Sequence, residues 1–148
     1  MLKISRWKEL GKFFKTHSGM NSFIYGATDE DILAKIEKLN QNEYPVLVGI
    51  LPSIIGTGMN MDNMGHESPL FYYCMVAKTN MSEDEMDAAW EQTLESAQGV
   101  EETIKEHCED PDWREFFTVK PDSVHIDPEF GMWGLMGWSI GFEIEHAD

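Results

Sequence analysis

The sequence predicts an α+β fold: a ββαββ unit with a mostly antiparallel sheet packed by a long acidic helix, and helical material at the N-terminus. Three observations predict it. Residues 82–108 repeat apolar side chains at three- and four-residue steps, residues 45–51 and 70–79 are short runs rich in β-branched and aromatic residues, and residues 136–145 alternate apolar with small or polar ones. The chain of 148 residues, 42% hydrophobic and 26% charged, fits one domain with one core.

Taken in order, residues 4–15 place Ile4, Trp7, Leu10 and Phe14 on one helical face, although Gly11 weakens the helix. Residues 16–27 read as a connector, with Gly19, Asn21 and Gly26 around Phe23 and Tyr25. Thr28 and Asp31 form an N-cap signature for a second helix with an Ile32, Leu33, Ile36, Leu39 stripe, ended by residues 40–42. Residues 45–51 are a nearly continuous apolar run, as in a buried strand, closed by Pro52. The Met-rich, glycine-rich segment 56–68 is a loop, and residues 70–79 return as the second strand of an antiparallel hairpin.

The segment 82–108 begins with a capping box, Ser82 and Glu85, and its first turn carries further acids that complement the unpaired amides there. Its stripe is Met86, Trp90, Leu94, Ala97, Val100, Ile104 and Cys108, so Trp90 and Leu94 are expected in the core. Gly99 allows a kink, and Pro111 closes the segment. Residues 116–120 and 124–127 are short extended stretches. The aromatic turn 130–135 is either folded inward or an interface anchor. In residues 136–145, Trp138, Ile140, Phe142 and Ile144 alternate with Ser139, Gly141, Glu143 and Glu145, the signature of one buried and one solvated face.

The net charge of −16 argues against nucleic acid, whose phosphates need lysine and arginine to neutralise them. The charge is unevenly spread. Residues 1–15 carry Lys3, Arg6, Lys8, Lys12 and Lys15 against Glu9, a net of +4, so the rest of the chain carries −20. Residues 1–16 therefore read as a basic amphipathic helix or arm on an acidic body, residues 17–148. The arm meets either the acids of its own body or those of a neighbouring subunit. The outer face of the long helix, including Glu91, Glu95 and Glu102, is the acidic surface expected to receive it.

Cys74 and Cys108 show no disulfide or zinc spacing, no run approaches the ~20 apolar residues of a membrane span, and no signal peptide is evident. A cytoplasmic protein without cofactor is expected. Gly137-Trp138-Ser139-Ile140-Gly141 matches the GxSxG pattern, but Ser139 falls inside an alternating strand with nine residues after it, which does not suit a nucleophile elbow. His125 with Asp127, and His107 with Asp110 and Asp112, are unspecific metal spacings, and Asp62 and Asn63 lack the EF-hand pattern. Gly56-Thr57-Gly58 lacks the phosphate-loop lysine. No catalytic, metal or cofactor residues are assigned. Met59, Met61 and Met64, with Trp133, form a candidate adaptable contact surface for a protein partner.

The order of N-terminal helical material, Tyr44-Pro45 leading into a strand, a second strand at 70–79, an acidic helix, and closing strands through 137–145 resembles the tail terminator and tail completion (minor tail) proteins of bacteriophages. That resemblance implies a non-enzymatic subunit of a homo-oligomeric ring, partnered by other tail or assembly proteins and found in the virion tail. The alternatives are a cytoplasmic protein-binding module using the Met-rich loop, and a hydrolase or metal-binding enzyme around Ser139 or His125.

Overall fold

The computed structural model describes residues 4–52, 70–77, 81–107, 110 and 119–144. Three helices, α1 (Ile4–His17), α2 (Asp29–Ile36) and α3 (Glu83–His107), pack on five strands, β1 (Ser22–Gly26), β2 (Val46–Ile50), β3 (Leu70–Ala77), β4 (His125–Phe130) and β5 (Leu135–Phe142). The spatial order is β1-β2-β3-β5-β4, with β1 parallel to β2 and every other pair antiparallel. The α+β class and the mostly antiparallel sheet are thus as expected.

The segment containing β1 is more than a connector. Ser22 to Gly26 pairs in register with Val46 to Ile50. Its entry is pinned by Asn21, whose Nδ2 donates to Tyr44 O at 2.6 Å, and by Ser22, whose Oγ donates to Glu43 O at 2.7 Å. A parallel pair needs a crossover, here α2, so no local turn signal marks it. Thr28 caps α2 as expected, accepting from Asp31 N at 3.2 Å. The helix stops at Ile36, leaving Leu33 39% exposed and Leu39 beyond its end.

Side chains alternate across the sheet, so it has two differently covered faces. Leu47, Tyr72, Cys74, Ile140 and Phe142 point to the first face. It is covered by Trp7, Leu10 and Phe14 of α1 and by Ala97, Val100 and Ile104 of α3. Val46, Val48, Tyr73, Met75 and Leu135 point to the second, covered by Ile32 of α2 and by Trp133. Strand β5 therefore lies between β3 and β4 with both faces occupied. Ser139 and Gly141, expected on a solvated face, are buried; only Glu143 of the described residues in that row is exposed.

The basic N-terminal segment is not a detachable arm. Trp7 and Phe14 are fully buried, Trp7 stacks on Tyr72 at 5.7 Å, and Tyr72 Oη donates to Trp7 O at 3.2 Å. Gly11 has a packing role: a Cβ there would lie 2.3 Å from the Phe23 ring, so glycine lets α1 sit directly on β1.

In α3 the capping box is present, Glu85 N donating to Ser82 Oγ at 3.2 Å and Ser82 N to Glu85 Oε1 at 3.3 Å. The helix runs through Gly99 to His107. Its buried face differs from the expected stripe. Ala97, Val100 and Ile104 of that stripe are buried, but the rest of the contact is made by Ala89, Thr93, Ser96 and Thr103, while Trp90 and Leu94 are half-buried at its flank. The sheet supplies the bulk through Trp138, Tyr72 and Phe142, so the close-packed layer needs small residues on the helix.

Candidate functional site

α1 packs over β1 and β2, and α3 over β3 and β5, so the two helices occupy opposite halves of the first face. With about 3.6 residues per turn, Lys8, Lys12 and Lys15 fall on one flank of α1, and Arg6, Phe13 and His17 on the other. The second flank meets α3. Phe13 lies 3.9 Å from the His17 ring centroid and 5.1 Å from that of His107. The lysine flank faces away from α3, toward the outer edge of β1.

At that edge two lysines converge on Tyr25. Lys8 Nζ is 4.7 Å and Lys35 Nζ 4.5 Å from the ring centroid, the first from α1 and the second from α2 across the sheet. Lys8 donates a hydrogen bond to the hydroxyl, which is the main cause of a Tyr25 pKa below its ordinary value; the charges of Lys8, Lys35 and Lys12 pull the same way. Lys35 also donates to Tyr25 O and lies 3.6 Å from Asp31 Oδ2. These contacts occupy the open edge of β1, and Pro128 stands in the other edge strand, β4. Both are devices that discourage strand addition.

At the opposite end Glu91, Glu95 and Glu102 lie on the exposed side of α3, roughly opposite its buried face. Among the described residues, none of them forms an ion pair with Lys8, Lys12 or Lys15. Arg6 does not share the lysine flank and pairs with Glu9 at 3.0 Å. Lys3, Met59, Met61 and Met64 lie outside the described residues.

Trp133 is folded inward. It is 9% exposed, meets Tyr73 edge-on at 5.2 Å, and its Nε1 donates to Asp29 Oδ1 at 3.1 Å. Its left-handed φ of 56°, between Gly131 at 89° and Gly134 at 73°, is held by that packing. The turn's exposed large apolar side chain is Phe130 instead, at 54%.

The other chemical candidates do not assemble. Ser139, His125 and Asp127 share a sheet face, because Ser139 pairs with Asp127 and Gly141 with His125. Yet Ser139 is 3% exposed and its Oγ donates to the Asp127 carbonyl at 3.4 Å. His125 directs Nε2 toward Asp127 at 3.9 Å and Nδ1 toward Ser123 O at 3.2 Å, not toward the serine. A nucleophile needs a hydrogen-bonded base, and neither ring nitrogen serves as one. His107 pairs with Asp110 at 3.5 Å, and Asp112 lies outside the described residues. Among the described residues no group of three or more metal-ligating side chains converges, and no helix is long and apolar enough to cross a membrane.

Cys74 is buried, and desolvation pushes its thiol up to about 12, which makes it a poor nucleophile. An open cleft of about 370 Å³ lies where Tyr44, Pro45, Val76 and Met81 meet the start of α3. Its one carboxylate, Glu85, is engaged in the helix cap.

Comparison with protein-family models, with curated proteins and with solved structures finds no match. Four residues of these surfaces escape sequence reasoning. Tyr25 and Lys35 meet only because α2 crosses from β1 to β2, and Trp90 and Phe130 meet only because β4 is an edge beside α3. The signal for the last was the apolar turn after β4.

Proposed function

We propose that this chain is a structural, non-catalytic subunit that assembles head to tail with copies of itself, as the phage tail terminator and tail completion proteins that its element order resembles do in forming rings. Other tail or assembly proteins would be its further partners. One observation carries the reading: the lysine flank of α1 and the acidic face of α3 stand at opposite halves of the same sheet and do not neutralise each other. Two different, complementary patches on one molecule give a heterologous contact, and repetition of such a contact closes a ring when the rotation allows it.

The contact assigned to this junction pairs Lys8, Lys12 and Lys15 of one copy with Glu91, Glu95 and Glu102 of the next. Arg6 and Lys3 belonged to the same expectation; Arg6 lies on the wrong flank of α1 for it. Light scattering across a salt series tests the reading. An oligomer at low salt that loses mass as salt rises supports it, because exposed charges are screened beyond about 10 Å at 0.1 M ionic strength. A monomer of 17.0 kDa at every salt concentration contradicts it. Deleting residues 1–15 is unsuitable, since it removes Trp7, Leu10 and Phe14 from the core.

A further inference from the structure

We propose that Phe130 and Trp90 form an aromatic anchor at the acidic end of the sheet, and that this anchor seats on Ile4 and the aliphatic stems of Lys8 and Lys12 at the basic end of a second copy. The proposal rests on the head-to-tail reading and names the apolar part of that junction.

Phe130 is the most exposed large hydrophobic side chain among the described residues, at 54%. It is braced rather than loose. Its ring lies 6.1 Å from Trp90 at 30°, and Trp90 meets Trp138 at 5.7 Å and 75°. Trp138 Nε1 donates to Trp90 O at 3.0 Å, tying the aromatic row of the sheet to the helix backbone. A pre-ordered aromatic group loses little freedom when a partner covers it, which is the property of an interface hot spot. Asp87, exposed and three residues before Trp90, is its neighbour on the helix surface, so the apolar anchor has an acidic margin.

The basic end has the matching composition. Ile4 is 40% exposed and begins α1 four residues before Lys8, with Lys12 a further four on, so the three form one row along the helix. Lysine stems are apolar and their ammonium groups favour aromatic faces, as Lys8 already does with Tyr25. Acidic margin meets ammonium groups, and exposed aromatic meets exposed aliphatic. A second copy satisfies both conditions, so it is the occupant assigned here. In this junction the charges supply register and steering, and the Phe130 contact supplies attraction that survives added salt.

The test measures self-association by analytical ultracentrifugation at low and high salt for the wild type, Phe130→Ser, Ile4→Ser, and Leu33→Ser. Leu33, 39% exposed against 40% for Ile4, is a control outside the row, and circular dichroism verifies that each variant is folded. Expected is a loss of about tenfold or more in association constant for Phe130→Ser and Ile4→Ser at both salt concentrations, with Leu33→Ser unchanged. Wild-type association in Phe130→Ser, with dissociation still produced by reversing Lys8 and Lys12, overturns the anchor and leaves the head-to-tail reading standing. A wild type monomeric at all salt concentrations overturns both.

Discussion

At the β1 end of the sheet a helix meets an edge strand through Trp7, Phe23 and Tyr25, whereas at the β4 end the helix and edge strand meet through Trp90, Trp138 and Phe130. The first cluster turns its largest ring inward and leaves lysines outside. The second leaves Phe130 half-exposed against Trp90. The comparison separates two uses of aromatic side chains: burial that holds the domain together, and exposure at a margin of charge that suits contact with another molecule. Charge distinguishes the ends as sharply. Lys8 and Lys35 are held at Tyr25, while α3 displays Glu91, Glu95 and Glu102 to solvent.

The largest effect is expected from truncating the inward ring. Trp7→Ala removes a fully buried side chain and is expected to cost about 3–5 kcal/mol in urea unfolding. Phe130→Ala, at the exposed counterpart, is expected to change monomer stability by no more than about 0.5 kcal/mol. Similar losses at both sites would erase the contrast. Trp7 Nε1 is buried and finds no acceptor among the described residues, so Trp7→Phe sheds an unmet donor and is expected to cost clearly less than the alanine variant.

A second pair of variants compares the helix starts at the two ends. Ser82 in α3 shares a reciprocal capping box, whereas Thr28 in α2 accepts a single bond. Ser82→Ala is expected to cost about 1 kcal/mol, and Thr28→Ala about the same or less. A cap loss at Thr28 well above that at Ser82, measured by thermal or urea unfolding, would show that the shorter helix depends on its cap more than its packing on Ile32 implies.

Smallest near neutrality is the effect of pH on the shared interior. Burial raises Cys74 from 9.0 to about 12 and raises Tyr72 well above 10.0, so folding favours the neutral forms. The unfolded chain ionises first. Their contribution is therefore complete below about pH 9 and is lost as pH rises toward 12, with the midpoint of urea unfolding falling over that window. A midpoint that stays constant through pH 11 would mean that these groups are not shielded as the structure has them.

Much of this contrast was legible in the sequence, but unevenly. The Ser82 and Glu85 cap, the Thr28 cap, the β2 and β3 runs and the lysine excess near the N-terminus are local signals, and each corresponds to a feature of the fold. Strand β1 was hidden because its partner lies across a helix and its five residues end in glycine. The burial of Ser139 depends on β4 adding to the edge of β5, a long-range event that alternation alone does not encode. Trp90 and Leu94 seemed core residues because hydrophobic size outweighs small residues in a stripe. The sheet's own aromatics reversed that preference. Likewise the lysines were legible as a group, but their division into a flank with Tyr25 and a separate Arg6–Glu9 pair required the packing of α1.

The measurement that tests the central claim most directly is a mixing experiment read by light scattering. Lys8→Glu/Lys12→Glu/Lys15→Glu makes both ends acidic, and Glu91→Lys/Glu95→Lys/Glu102→Lys makes both ends basic. Each variant alone is expected to be monomeric, while an equimolar mixture at low salt is expected to assemble, because each variant supplies the patch the other lacks. A mixture that stays monomeric, or single variants that assemble as the wild type does, would contradict the assignment of complementary ends.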